Sequence, residues 1–141
     1  HIDRIVERLK SNLRDIAGRG GPCEKRLRAM LIERVMNRFD SVQHYSQSLN
    51  ELLASLRPRL LERRQRYFEE EARIFAAVLD EGAKAGIFDI KSPNQTASAL
   101  LDATNSLLPY SLSAYELGER SDILKKANRV ADLILNGLIK R

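Results

Sequence analysis

Apolar residues recur along this chain at three- and four-residue intervals almost from its first position, and they never settle into strict alternation. Ile2, Ile5, Val6, Leu9, Leu13 and Ile16 make one stripe, Leu27, Met30, Leu31, Val35, Phe39 and Val42 a second, and Leu60, Leu61, Tyr67, Phe68, Ile74, Phe75, Val78 and Leu79 a third. This is the period of a helix whose one face is buried, and it predicts helices over about 1–17, 22–46, 48–56, 58–86, 93–114 and 119–140. The expected fold class is all-α, about six helices. The first stripe begins at the first residue with no capping residue before it, so a helix running in from upstream sequence is expected.

Glycine and proline punctuate the pattern. "GRGGP" at 18–22 offers glycines for a positive φ after the first helix, and Pro22 suits the first turn of the next. Ser46 or Ser48 is placed to cap the segment "LNELLASL", and Pro58 is expected to separate that short segment from the long helix that follows. Pro109 should kink or end the fifth helix nearby.

Two charges interrupt the third stripe. Arg64 and Glu71 fall among its apolar positions and are ~10.5 Å apart by helical rise, too far to pair with each other without leaning. Either they sit at the stripe's edge and reach water, or they line a polar cavity; Arg64 and His44 are the bases that periodicity offers to Glu71. The last two helices carry apolar residues on more than one face. Ala97, Ala99 and Ala103 accompany Leu100, Leu101, Leu107 and Leu108, and Ile123 to Ile139 is apolar around much of its circumference. Such helices need two burial partners, and a second copy of the same pair, making a four-helix bundle across a two-fold axis, is one of them. A buried intramolecular hairpin is the other way to cover them.

Composition narrows the function classes. The chain has 141 residues, 43% hydrophobic and 30% charged, enough for one domain with a core of its own. A single cysteine, Cys23, excludes an internal disulfide, and no apolar run approaches the ~20 residues of a membrane span, so a cytoplasmic protein without membrane contact is expected. Charge is uneven: residues 1–67 hold 15 Lys/Arg against 8 Asp/Glu, and residues 68–141 hold 9 against 11. The basic half is read as a solvated, charge-laced surface, in which Glu62 with Arg66 and Arg66 with Glu70 are helix-neighbour pairs. No catalytic constellation can be assembled. The only histidines are His1 and His44, there is no metal-binding spacing, and "GRGGP" follows a helix rather than a strand and lacks the Lys-Ser/Thr of a phosphate loop. Neither an enzyme nor a cofactor is expected. The polar residues left among apolar ones, His44 and Tyr45, Tyr67 and Glu71, and Thr104, Asn105 and Tyr110, are the kind that furnish the few polar groups of a mostly apolar pocket.

One stretch carries a resemblance. "FAAVLDEGAKAGIFDIKSPNQTASALLDA" is an amphipathic helix ending in Glu-Gly-x-x-x-Gly-x-Phe, a short polar turn, and a Pro-initiated helix of small and leucine residues. It resembles the corner of the C-terminal regulatory domain in the TetR family of transcriptional regulators, where a long central helix meets the first of two dimerisation helices. Physically, Gly82 and Gly86 would allow close approach and a left-handed cap, with Phe88 folding back to plug the corner. The resemblance implies a domain spanning 1–141, with a connector helix at 1–17, ligand-pocket helices over 22–92 and dimerisation helices over 93–141. It implies a homodimer with Ala99, Ala103, Ala127, Ala131, Ile134 and Leu138 near the two-fold axis, and a small apolar effector held by Leu9, Leu13, Phe39, His44, Tyr67, Glu71, Asn105 and Tyr110. DNA would be met only through an N-terminal helix-turn-helix head that this sequence does not contain. An all-helical adaptor that binds another protein through its terminal helices, with no small-molecule ligand, is the alternative.

Overall fold

The computed structural model describes residues 2–43, 49–108 and 114–141. Within them lie six helices: α1 (Ile2–Gly18), α2 (Cys23–Gln43), α3 (Leu49–Lys84), α4 (Pro93–Asn105), α5 (Ala114–Leu117) and α6 (Arg120–Leu138), with no strand among the described residues. The chain is all-α. Helix α2 lies at the centre and packs on α1, α3 and α6, while α4 lies along α3. Leu9 and Leu13 of α1, Leu27, Met30 and Leu31 of α2, and Phe75 and Leu79 of α3 join one core with Leu101 and Ala131. A second cluster at the other part of α2 holds Val35, Met36 and Phe39 against Leu117, Ile123 and Ala127.

Arg26 ties three helix ends together. Its guanidinium donates to the carbonyl of Ala17 at 2.7 Å and of Gly21 at 3.1 Å, so it satisfies an acceptor that the end of α1 leaves open. The same group pairs with Glu81 near the end of α3. Gly21, with φ 114°, supplies the left-handed residue that the "GRGGP" pattern anticipates.

The corner after α3 follows from its own sequence. Gly86 has φ 76°, the Gly86 N–H reaches the Ala83 carbonyl at 3.1 Å, and the Ile87 N–H reaches the Gly82 carbonyl at 2.9 Å. This pair of bonds is the Schellman arrangement that closes a helix on a glycine. Phe88 is buried, and its ring lies so close to Gly82 that a methyl group there would overlap it. The Asp89 N–H donates to Leu138 O and the Lys140 N–H to Ile87 O, both at 2.8 Å, which fastens the corner to the end of α6. Ser92 then caps α4 by accepting from the Gln95 N–H at 3.2 Å, with Pro93 in the first turn.

Two boundaries differ from the sequence expectation. The segments expected at 48–56 and 58–86 form one 36-residue helix that passes through Pro58. Both Ala54, whose carbonyl loses its donor, and Pro58 are exposed, so water can take the freed acceptor and the break is not forced. Helix α4 stops at Asn105 rather than continuing to 114, and turn bonds from Leu107 to Thr104 and from Leu108 to Asn105 follow it. The expected capping by Ser46 or Ser48 lies outside the described residues.

Candidate functional site

Along α2, the row Leu27, Leu31 and Val35 faces the core, and the adjacent row, Met30, Arg34 and Arg38, is carried inward with it by the four-residue step. Two arginines are thereby buried. Arg34 is fully enclosed. Its Nη1 donates to Thr104 Oγ1 at 2.8 Å and to the Leu101 carbonyl at 3.3 Å, and its Nη2 donates to Asn105 Oδ1 at 2.8 Å. These acceptors belong to the last turn of α4, where a cation also meets the negative end of the helix dipole. The Phe68 ring of α3 covers the guanidinium, with its centroid 5.1 Å from Cζ.

Glu71 faces this guanidinium from α3. It is 0% exposed, with Oε1 3.5 Å from Arg34 Nε and 3.7 Å from Arg38 Nη2. Neither Glu71 oxygen accepts a hydrogen bond among the described residues, and Arg34 Nε donates none. The pair is held together by charge at distances beyond good hydrogen bonding. A buried polar group left unbonded costs about 1–3 kcal/mol, more when charged, so the arrangement has unused capacity for a donor at Glu71 and an acceptor at Arg34.

Of the residues singled out in the sequence for ligand binding, three fall in this part of the molecule. Glu71 is at its centre, Asn105 is one of Arg34's acceptors, and Tyr67 lies one turn before Glu71, buried against Val6 and Leu108. The Tyr67 hydroxyl accepts from Arg63 at 3.5 Å. Leu9 and Leu13 are fully buried in the main core and Phe39 in the second cluster, where they shape the frame and offer no polar group. His44 and Tyr110 lie outside the described residues, as does the side chain of Arg64. The reading in which Glu71 reaches water at the stripe's edge is overturned: among the described residues Arg34 and Arg38 stand beside it, while both bases expected as its partners, His44 and the side chain of Arg64, lie outside those residues. Sequence reasoning passed over both arginines although their positions four residues apart, inside the α2 stripe, signalled burial.

Adjacent to Glu71, Glu70 points the other way and pairs with Lys10 of α1, a lysine only 5% exposed that also pairs with Glu7 at 2.8 Å. Burial works to lower the Lys10 pKa, but the hydrogen bonds and charges of Glu7 and Glu70 outweigh it together and hold it above the ordinary value. The Lys10 hydrogen bond in turn holds the Glu70 carboxyl below its usual range. Consecutive residues of α3 thus address the interior cluster and the first helix.

The outer faces of α4 and α6 form an apolar cleft of about 490 Å³ lined by Ala99, Leu100, Ala103, Leu133, Ile134 and Leu138 among others. Leu133 is 76% exposed, and Ala99 and Ala103 are exposed as well. The expected interface needs a correction at two positions. Ala127 and Ala131 are buried within their own chain, because the α6 row Ile123, Ala127, Ala131 and Leu135 faces inward. The row turned outward is Leu133, Ile134, Gly137 and Leu138.

No known protein-family model matches this chain, and no curated protein matches it significantly. Among the described residues no helix is long and apolar enough to cross a membrane, and no group of three or more His, Cys, Asp or Glu gathers as metal ligands.

Proposed function

We propose that this chain is the small-molecule-sensing and dimerisation domain of a TetR-like transcriptional regulator, with ligand binding coupled through α1 to an N-terminal helix-turn-helix head. The observation that carries the reading is Glu71: a fully buried carboxylate, opposed by two arginines, whose oxygens accept no hydrogen bond among the described residues. A purely structural ion pair is usually closed by hydrogen bonds on both partners. The second support is mechanical. Any shift of α3 at Glu71 moves Glu70, and with it Lys10 on α1. Two heads spaced by the dimer for half-sites ~34–36 Å apart would lose register when α1 moves. The third is the cleft between α4 and α6, whose exposed Leu133 suits an apolar effector domain's two-fold partner. That same exposed leucine is what favours the second reading, an adaptor that docks a different protein on this face.

The test has two arms. Sedimentation equilibrium should give a dimer, and Leu133→Arg should give a folded monomer. A thermal-shift screen of small molecules should yield stabilisers, since a ligand at 100 times its Kd adds ~2.7 kcal/mol to the folded state. A monomeric wild-type chain with no stabiliser would leave the adaptor reading in possession.

A further inference from the structure

We infer that the groove between α1 and α3 is a binding site for a small organic anion, a single carboxylate carrying an apolar body. The inference stands on that groove and does not depend on the sensing role proposed above. The groove has a volume of about 560 Å³ and is lined by Lys10, Arg14 and Ala17 of α1 and by Glu70, Arg73, Ile74 and Ala77 of α3, among others. Three cations there face one carboxylate. Lys10 is occupied by Glu7 and Glu70. Arg14 and Arg73 are both exposed and make no hydrogen bond or ion pair among the described residues; Glu70 feels Arg73 only as a nearby charge. Each helix thus brings one open guanidinium to a groove whose other lining includes the apolar Ala17, Ile74 and Ala77.

A guanidinium presents its N–H donors as a fork that matches a carboxylate, and a concave wall carrying an excess of one charge concentrates the opposite ion beside it. An ammonium head is repelled by the same wall, and a neutral head gains no charge-assisted bond from either arginine. One negative charge fits better than several, because Glu70 lines the groove and Glu7 sits beside Lys10, so a polyanion's backbone would meet both carboxylates. A charged head alone is held weakly, since exposed charges are screened by water and salt. The apolar lining supplies the remainder by covering a hydrocarbon body. Bound there, the anion meets Arg14 of α1 and Arg73 of α3 at once and clamps the first helix onto the third, beside the Lys10–Glu70 pair that already joins them.

The experiment titrates octanoate, octan-1-ol, octylammonium and acetate into the whole chain by calorimetry. Octanoate should bind at least about tenfold more tightly than each of the others, the usual margin for a hydrogen bond to a charged group, and should weaken as salt is raised. Arg14→Gln and Arg73→Gln, both at exposed positions and checked for folding by circular dichroism, should each weaken octanoate by about tenfold. Arg129→Gln, which removes an exposed arginine of α6 outside the groove, should leave its affinity unchanged. If a groove variant does not fold, the ranking of the four probes and the other variant decide. Acetate or octan-1-ol binding as tightly as octanoate overturns the site, as does tighter binding of octylammonium. Failure of either groove variant to weaken octanoate, or an equal loss in Arg129→Gln, overturns it too. No detectable octanoate binding also overturns it and leaves the sensing role to its own thermal-shift screen.

Discussion

Replacing Arg34 by Met removes the guanidinium at the centre of the interior cluster while keeping an unbranched side chain to fill the space. Three donations are lost, to Leu101 O, Thr104 Oγ1 and Asn105 Oδ1, together with the closer of the two charges that face Glu71. Thr104 keeps its bond to the Leu100 carbonyl at 2.9 Å, so its hydroxyl is not stranded, whereas Glu71 remains fully buried with Arg38 at 3.7 Å. Removing one member of a buried ion pair typically costs ~3–5 kcal/mol. At ~3 °C per kcal/mol for a domain of this size, the melting temperature should fall by ~10–15 °C. Replacing Glu71 by Leu in the same chain removes the stranded carboxylate, and the double variant should recover at least ~1.5 kcal/mol relative to the sum of the single changes. Urea and thermal unfolding by circular dichroism, at one fixed protein concentration, measure all four corners of the cycle. Arg34→Met within ~1 kcal/mol of wild type, or strictly additive single changes, would refute the view that these groups form one coupled unit.

Gly82→Ala should destabilise the chain by ~1–3 kcal/mol in urea melts through overlap with the Phe88 ring, and pairing it with Phe88→Ala should cost less than the sum. Burial, followed by its hydrogen bond to Glu81, pushes the Cys23 thiol above its ordinary value, so at neutral pH it should stay protonated and react with a disulfide reagent only as fast as the protein opens; reaction within the mixing time would contradict this. Lys10 holds the Glu70 pKa below its unfolded value, so the stability this pair contributes is present above that value and lost as pH falls through the lowered one. The stability gap between wild type and Glu70→Gln should therefore narrow in urea melts taken from about pH 7 down to about pH 3. Lys10, raised above its ordinary value, gives no loss until the alkaline side.

What could be read from the sequence was mostly local. The corner at Gly82, Gly86 and Phe88 and the restart at Ser92-Pro93 are written in residues close together in the chain, whose backbone preferences act before any tertiary contact. Pro58 misled because its penalty depends on where the freed carbonyl points, and on an exposed face that carbonyl can be hydrated. The double-sided apolar character of α6 was legible, but not which side turns inward: the rows through Ala127 and Ala131 and through Leu133 and Gly137 are both apolar or small, and only packing against α2 distinguishes them. Arg34 and Arg38 were hidden by their charge. Long cationic side chains are ordinarily taken as surface, yet helical spacing put both in line with Met30, and the acceptors that make the burial of Arg34 tolerable come from a helix some 70 residues further on.

The central claim, that ligand binding acts on the first helix through α3, is tested most directly by hydrogen–deuterium exchange with and without the best-stabilising compound of the thermal-shift screen. The expected result is increased protection of the α3 amides around Tyr67 to Phe75 and of the last turn of α4, together with altered exchange in α1 near Lys10, while the corner bonded to the end of α6 is unchanged. Protection confined to the cleft between α4 and α6, or a protected α3 with α1 unaffected, would contradict it.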